Sequence, residues 1–332
     1  MRAIVVRHFG GPEVLVLEEV DAPTPGPGEL LVELAAAGVN FRDRYECEGR
    51  PPYRPALPFI PGTEGSGTVV GTGAGVSGVH AGDVVAWTQG ASSYAEFVAV
   101  RAEQAVAVPE ALEPEVAAAV ILQGLTAHYL IEDTYPVRPG DVVVVHAAAG
   151  GVGLLLTQLA AKRGAKVVAT TSSADKAALA RDAGAAVTCG YDGFVAAARD
   201  LSGGRGASVV YDGVGRATFD ASRRALAPRG VLVLYGASSG AVAPIDPIEL
   251  MTGGSLFLTR PTLAHYVETR AELERRAAAI FTAVLDGALS VRIGARYLLS
   301  EAGRAHEALA SRATTGKLIL VPRRAGHAAS SG

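Results

Sequence analysis

The chain has 332 residues, 49% of them hydrophobic and 19% charged, and its formal net charge is -3. At about 150 residues per domain that length points to two domains with a large apolar core. The slightly acidic balance, with no long basic run, excludes a nucleic-acid footprint and a polybasic membrane surface.

From the N-terminus, residues 1–6 lack the long apolar stretch of a secretory signal. Short β-favouring runs follow at 3–6, 30–34, 67–70 and 84–87. They are separated by Pro25-Gly26-Pro27-Gly28, Pro51-Pro52, Pro61-Gly62 and the glycine-rich stretch 71–75. Pro and Gly set the backbone angles that turns require, so this part reads as a β-rich barrel or sandwich. A helix is expected over 115–131. Beyond it, strands at 142–145, 166–170, 186–189, 208–211, 231–235 and 255–258 alternate with helical spacing such as 152–163 and 174–182, closed by Gly164 and Gly184. Six strands alternating with helices predict a doubly wound parallel sheet. The run 142–145 is apolar throughout, as in a strand covered on both faces. A long helix over 263–285, a shorter one over 302–311 and a strand at 317–321 are expected to return to the first domain, with disorder over 323–332. The domains expected are therefore 1–122 with 263–332, and 123–262.

Cys47 and Cys189 lie far apart and outside any Cys-x-x-Cys pattern. No disulfide framework is expected, and a cytoplasmic location follows. The longest nearly apolar run, 142–156, is shorter than the ~20 residues a spanning helix needs, so no membrane association is expected.

The strongest motif is Val142-Val143-Val144-Val145-His146-Ala147-Ala148-Ala149-Gly150-Gly151-Val152-Gly153. A strand enters a glycine-rich turn that opens a helix, the arrangement that seats a pyrophosphate on backbone N–H groups. Ala148 stands where the first glycine of Gly-x-Gly-x-x-Gly is usual; Gly150 and Gly153 fill the other two places. A tight turn without ligand is the plainer alternative. An Asp or Glu about 20 residues on would bind a ribose 2′-hydroxyl. Here that stretch is Thr170-Thr171-Ser172-Ser173-Ala174-Asp175-Lys176, with hydroxyls at the strand end and a lysine beyond. Asp175 is better placed to open a helix. NADPH is favoured over NADH, although Ser172 and Ser173 also fit as helix caps.

Together these segments resemble the zinc-independent, zeta-crystallin-like quinone oxidoreductases of the medium-chain dehydrogenase/reductase superfamily. The likeness runs from Phe9-Gly10-Gly11-Pro12-Glu13-Val14-Leu15 through Gly38-Val39-Asn40-Phe41-Arg42-Asp43, Pro61-Gly62-Thr63-Glu64-Gly65, Val210-Tyr211-Asp212 and Thr259-Arg260-Pro261 to Ser311-Arg312-Ala313-Thr314. It implies an α/β fold: a Rossmann domain beside a mostly β, GroES-like catalytic domain, with NADPH in the cleft between them. By position it implies that Asn40 and Tyr45 lie in the loop beside the nicotinamide and substrate, which makes them the candidate catalytic donors to a developing oxyanion. It further implies that Phe41, Asp43, Tyr129, Gly150, Gly151, Val152, Gly153, Val214, Gly236, Ser238, Ser239 and Arg312 line the cofactor, and that Ser172, Lys176 and Tyr191 hold the adenosine 2′-phosphate. Plainer readings stand beside these: Asn40 and Asp43 as turn-formers, Tyr45 and Tyr129 as core-edge tyrosines, Arg312 as a surface arginine. His146 reads as packing at its strand end.

Zinc-dependent relatives hold Cys and His ligands where this chain has the segment Gly38-Val39-Asn40 and Thr63, and two cysteines cannot form a Cys₄ site. No metal is expected. Without a Lewis acid the acceptor must already be electrophilic, such as a quinone or an activated alkene. NADPH-dependent quinone reduction is the leading expectation, reduction of α,β-unsaturated carbonyls the second, and a cofactor-binding protein without turnover the third. A homodimer is expected from the apolar edge at 255–258.

Overall fold

The computed structural model describes residues 1–90 and 92–322; the expectation of disorder over 323–332 lies outside them. The described residues form two compact units, one from residues 1–122 with 269–322, the other from residues 123–268.

The first unit is organised by one 11-residue strand, Glu29–Val39. It pairs antiparallel with Glu64–Thr72, with Phe97–Arg101 and, at its C-terminal end, with Lys317–Val321. The sheet continues through Val84–Thr88 to Ala105–Ala107 on one side and through Ile293–Leu298 on the other. Arg2–Val5 and Val16–Glu19 form a separate two-stranded ribbon. Leu30, Val32, Leu34, Trp87, Val98, Leu318 and Leu320 share the core. Four of these strands, Val16–Glu19, Phe97–Arg101, Ala105–Ala107 and Ile293–Leu298, go beyond the expectation. Phe97-Val98-Ala99-Val100 carried a usable β-favouring pattern. Ile293–Leu298 did not, because Gly294 and Arg296 interrupt its apolar residues.

The second unit holds a six-stranded parallel sheet in the spatial order Val187–Cys189, Lys166–Thr170, Val142–Val145, Ala207–Asp212, Leu226–Leu234, Phe257–Thr259. Numbered along the chain this is the doubly wound order 3-2-1-4-5-6, with its reversal between Val142–Val145 and Ala207–Asp212. All four valines of the central strand are buried, as continuous apolar character requires. Gly164 and Gly184 follow their helices with φ of 78° and 100°, left-handed values that favour glycine.

One expected helix is divided. Residues 263–285 form a 3₁₀ turn, Leu263–Tyr266, and a separate helix, Arg270–Leu285. The Thr269 hydroxyl accepts from the Glu272 N–H at 3.2 Å, and the Glu272 carboxylate accepts from the Thr269 N–H at 3.2 Å. This reciprocal cap sets the helix start, and the two compact units divide at the same point, between residues 268 and 269. The Thr-x-x-Glu signal was present; apolar spacing that runs straight through it hid it. The helix expected over 115–131 is Pro114–Tyr129, continued by a π-helical turn, Leu130–Thr134. Among the described residues this segment alone is long and apolar enough to cross a membrane, and most of it is buried inside the protein.

Candidate functional site

In a parallel α/β sheet the C-terminal strand ends share one edge, and ligands bind there at the order reversal. The loop after Val142–Val145 is the glycine-rich turn. Ala147 takes a left-handed φ of 49°, and the Gly150 N–H returns to the Ala147 carbonyl at 2.9 Å. Gly150 then caps the helix Gly151–Lys162 with no side-chain cap. The N–H groups of a first helical turn have no intrahelical acceptor, so they remain available to an anion. A β-carbon at Gly153 would lie 2.8 Å from Ala148 Cα, and one at Gly151 would run into the Gln123 side chain. The glycines therefore bring helix, turn and neighbouring backbone closer than any side chain allows. Gly150, Gly151 and Val152 are half-buried at the mouth of the turn, and Gly153 is buried beneath them.

The loop after Lys166–Thr170 carries Ser172, Ser173 and Lys176. Ser173 caps the helix Ala174–Asp182 by accepting the Lys176 N–H. Ser172 is exposed, and the Lys176 ammonium donates to its hydroxyl at 3.4 Å. Partial burial lowers the Lys176 pKa. Of the two serines, capping belongs to Ser173 alone. Tyr191, after Val187–Cys189, sets its ring 5.9 Å from that of His146.

The loops after Ala207–Asp212 and Leu226–Leu234 are knitted together. Ser239 donates its hydroxyl to the Val214 carbonyl at 2.7 Å and its N–H to the same oxygen at 2.8 Å. The Ser238 N–H reaches the Gly213 carbonyl, and a β-carbon at Gly236 would strike that same peptide. Val214, Gly236, Ser238 and Ser239 thus form one surface. Asp212 holds it from below: Oδ1 accepts the N–H groups of Val214 and Gly215 at 2.8 and 2.9 Å, and Oδ2 accepts the hydroxyls of Thr218 and Ser222 at 2.7 and 2.9 Å. His146 is fully buried and bonds Ser222 through Nε2 and Thr170 through Nδ1. Because the Ser222 hydroxyl hydrogen is committed to Asp212, Nε2 must donate, and Nδ1 must accept from Thr170. Burial lowers the His146 pKa to about 4, so the ring stays neutral. His146 braces the strand ends, as expected for it.

Tyr129 comes from the preceding helix, and with Asp212 and Tyr191 it is one of the groups that act on the buried Tyr235 hydroxyl. It is 2% exposed and stacks on Tyr266 with centroids 4.1 Å apart.

In the first unit, Asn40 opens the short helix Phe41–Cys47 from an extended backbone, φ -131° and ψ 156°. An asparagine at that position usually caps the helix with its side chain; here it makes no cap bond. Its Nδ2 donates to Glu64 Oε1 at 2.7 Å, and its Oδ1 accepts from the Lys317 ammonium at 2.7 Å. Lys317 and Glu64 form a fully buried ion pair. Tyr45 stacks on Tyr53 with centroids 6.0 Å apart and lies 6.4 Å from Phe41. Arg312 is exposed just beyond the helix Ala302–Ala310, at a left-handed φ of 58° where glycine is the usual residue.

With this geometry the sequence comparisons are specific. The zinc-binding dehydrogenase family model matches residues 151–281, and the alcohol dehydrogenase GroES-like domain model matches residues 26–110. A quinone oxidoreductase of Pseudomonas aeruginosa is 41% identical, covering 95% of this chain and 97% of its own. The chain belongs to the quinone oxidoreductase family of the medium-chain dehydrogenases/reductases. A 2-haloacrylate reductase of a Burkholderia species is 37% identical over 97% of this chain and 99% of its own. A mycobacterial protein solved in complex with NADPH superposes with a TM-score of 0.94 at 46% identity, over 97% of this chain and 100% of that one. Despite the name of the first family model, no cluster of three or more His, Cys, Asp or Glu side chains that could hold a metal occurs among the described residues.

Two of the residues that the family resemblance implied at the cofactor, Asp43 and Tyr129, are buried. Asp43 was expected to line the cofactor, yet it is fully buried with both oxygens occupied. Oδ2 accepts the Asn40 N–H at 2.8 Å and the Tyr94 hydroxyl at 3.0 Å, and Oδ1 accepts the Thr63 hydroxyl at 3.2 Å. It braces the Asn40 backbone from inside the unit. Tyr129, also expected at the cofactor, is buried and stacks on Tyr266. Reading the sequence missed Lys317, Tyr94 and His306, and gave Glu64 no role. Tyr94 links Asp43 to His306, whose Nε2 lies 3.0 Å from the Tyr94 oxygen. These partners come from remote segments, so no local spacing marks them.

Burial, with the nearby Glu46 charge adding to it, raises the Asp43 pKa to about 7 against the opposing Asn40 N–H and Lys317 charge. An unfolded aspartate titrates near 3.9. Between about pH 4 and pH 7 the folded state therefore holds a proton that the unfolded state has lost. That contribution is fully present below pH 4 and is lost as pH rises through 7. Asp43→Asn keeps every bond, because its oxygen serves Asn40 and Tyr94 while its amide donates to Thr63. Denaturant unfolding as a function of pH should show the variant gaining stability relative to the parent from pH 4 to 7, by at most about 1.4 kcal/mol per pH unit, and a constant difference above. Parallel curves would contradict this account of Asp43.

Proposed function

We propose that this chain is an NADPH-dependent quinone reductase that works without a bound metal. The supporting observation is the pairing of the Gly150–Gly153 turn with Ser172 and Lys176 on one sheet edge, in a chain 41% identical to a quinone oxidoreductase along nearly its whole length. The glycine cradle fits a pyrophosphate, and no carboxylate at the strand end repels a 2′-phosphate. NADPH would be held by the N–H groups of Gly151 and Val152, by Ser172, Lys176 and Tyr191 at the phosphate, and by the Val214 and Gly236–Ser239 surface. Tyr129 and Arg312 would complete its surroundings. When bound it supplies a hydride.

The protein's own work is positioning and charge stabilisation. Asn40 and Tyr45 offer an N–H and an O–H to an acceptor oxygen that gains negative charge, and Phe41 lends an apolar wall. Zinc-free operation is supported by Asn40 and Thr63 at positions where zinc-dependent relatives carry ligands. A second reading, reduction of activated alkenes, is supported by the 37% identity to a 2-haloacrylate reductase. The same donors would serve either acceptor. A cytoplasmic location is supported by Cys47 and Cys189, both free thiols. A homodimer is supported by the sheet's terminal strand, Phe257–Thr259, where Phe257 is 61% exposed, and by the exposed Ile248 and Met251 of the helix that precedes it.

NADPH oxidation should be fast with an ortho- or para-quinone, slower with a 2-alkenal or 2-haloacrylate, and insensitive to a chelator. Idle quinones beside fast alkene turnover would invert the order, and loss of activity to the chelator with recovery on adding zinc would refute metal-free operation.

Lys176→Ala should raise the KM for NADPH about tenfold, the equivalent of one charge-assisted hydrogen bond, and leave that for NADH within about twofold of the parent. An equal effect on both cofactors would remove Lys176 from the phosphate pocket.

Light scattering at micromolar protein should give twice the chain mass, reduced by Phe257→Lys. A monomer mass for the parent would exclude the dimer.

A further inference from the structure

The side chain of Asn40 has two donors and one acceptor oxygen, and its orientation is imposed from outside its own segment. We propose that Lys317 is a positioning residue for the acceptor site: paired with Glu64, it holds the Asn40 carboxamide in one orientation and leaves a single Nδ2–H for the oxygen of the acceptor. The proposal rests on the reading of Asn40 given above.

An ammonium only donates and a carboxylate only accepts. The amide atom facing Lys317 must therefore be Oδ1, and the atom facing Glu64 must be Nδ2. Turning the amide over would set N–H against the ammonium and oxygen against the carboxylate, losing two charge-assisted bonds and adding two repulsions. Glu64 is itself pinned, with Oε2 accepting the Leu122 N–H at 3.0 Å. The Asn40 backbone is tied independently by its N–H to Asp43. Of the two Nδ2 hydrogens one goes to Glu64, and Asn40 remains 8% exposed. The side chain can present one donor, in one direction.

The arrangement depends on Gly38. A β-carbon there would lie 2.5 Å from the Glu64 carboxyl carbon and 2.6 Å from Lys317 Cε. Replacing a buried ion pair by neutral side chains of similar size is often without loss of stability. The pair is thus poorly explained as a stabiliser and better explained as a device for orientation.

The deciding variant is Glu64→Gln/Lys317→Met, which removes both charges together and leaves none unpaired. Its NADPH affinity, measured by fluorescence titration without acceptor, should stay within about twofold of the parent, while kcat for a quinone should fall about tenfold, as expected for an interaction made chiefly in the transition state. An unchanged kcat overturns the proposal. Side-chain amide NMR of the unliganded parent gives a readout independent of turnover and of whether the variant folds. One Asn40 Nδ2 proton should be protected from exchange and the other not; equal exchange of the two also overturns it. Asn40→Ala separates the two levels of the argument. Full activity in Asn40→Ala would fault the reading of Asn40 as donor. A damaged Asn40→Ala beside an unimpaired double variant would fault the role of Lys317 alone.

Discussion

Burying a lysine ammonium to 1% exposure carries a desolvation cost that a partner held at close range must offset. In this protein that partner is Glu64, and satisfying the pair constrains much of the first unit. Lys317 begins the strand Lys317–Val321, whose register against Glu29–Val39 sets Leu318 opposite Val39, Ile319 opposite Gly38 and Leu320 opposite Ala37. A slip of one residue would turn Lys317 to the other face of the sheet, away from Glu64. Both faces of this strand are buried, Leu318 and Leu320 in one apolar cluster and Ile319 and Val321 in another, so burial alone does not separate the two registers. The charge pairing does. Gly38 and Asn40 then follow, one by leaving room for the pair and the other by bonding both of its members.

The second unit solves a different problem by different means. Its candidate ligand surface is mostly backbone: an uncapped helix start, glycines where a β-carbon would collide, and two loops whose peptides bond each other. Such a surface needs support from behind, and Asp212 supplies it by accepting four hydrogen bonds from the loop and helix around it. The directed chain from Thr170 through His146 and Ser222 to Asp212 joins three strand ends into one braced edge. Fixed N–H groups and fixed hydroxyls need no reorganisation when charge arrives, which is the physical advantage of a preorganised site.

Reading the sequence succeeded where chemistry is local. The six apolar strand segments and the glycine turn that opens a helix are legible within a few residues, because βα turns and parallel strands are short-range patterns. The reading was weaker where one signal masked another. The Thr269–Glu272 cap was lost inside a longer apolar periodicity, and Ile293–Leu298 is a strand because Lys317–Val321 pairs with it, not because its own residues insist on it.

What the sequence by itself determined is the alternation of strand and helix behind the doubly wound sheet, the place of the glycine-rich turn and the lack of a carboxylate at the next strand end, since each follows from residues adjacent along the chain. Only the tertiary structure decided the fate of the polar side chains. Asn40 looked like a turn-former or a catalytic donor, and Asp43 like a cofactor contact. The fold makes Asp43 an internal brace and gives Asn40 its orientation through Glu64 and Lys317, which are 24 and 277 residues away. A buried polar group takes its meaning from the partners that complete its hydrogen bonds, and those partners are chosen by strand pairing across the whole chain rather than by neighbours in sequence.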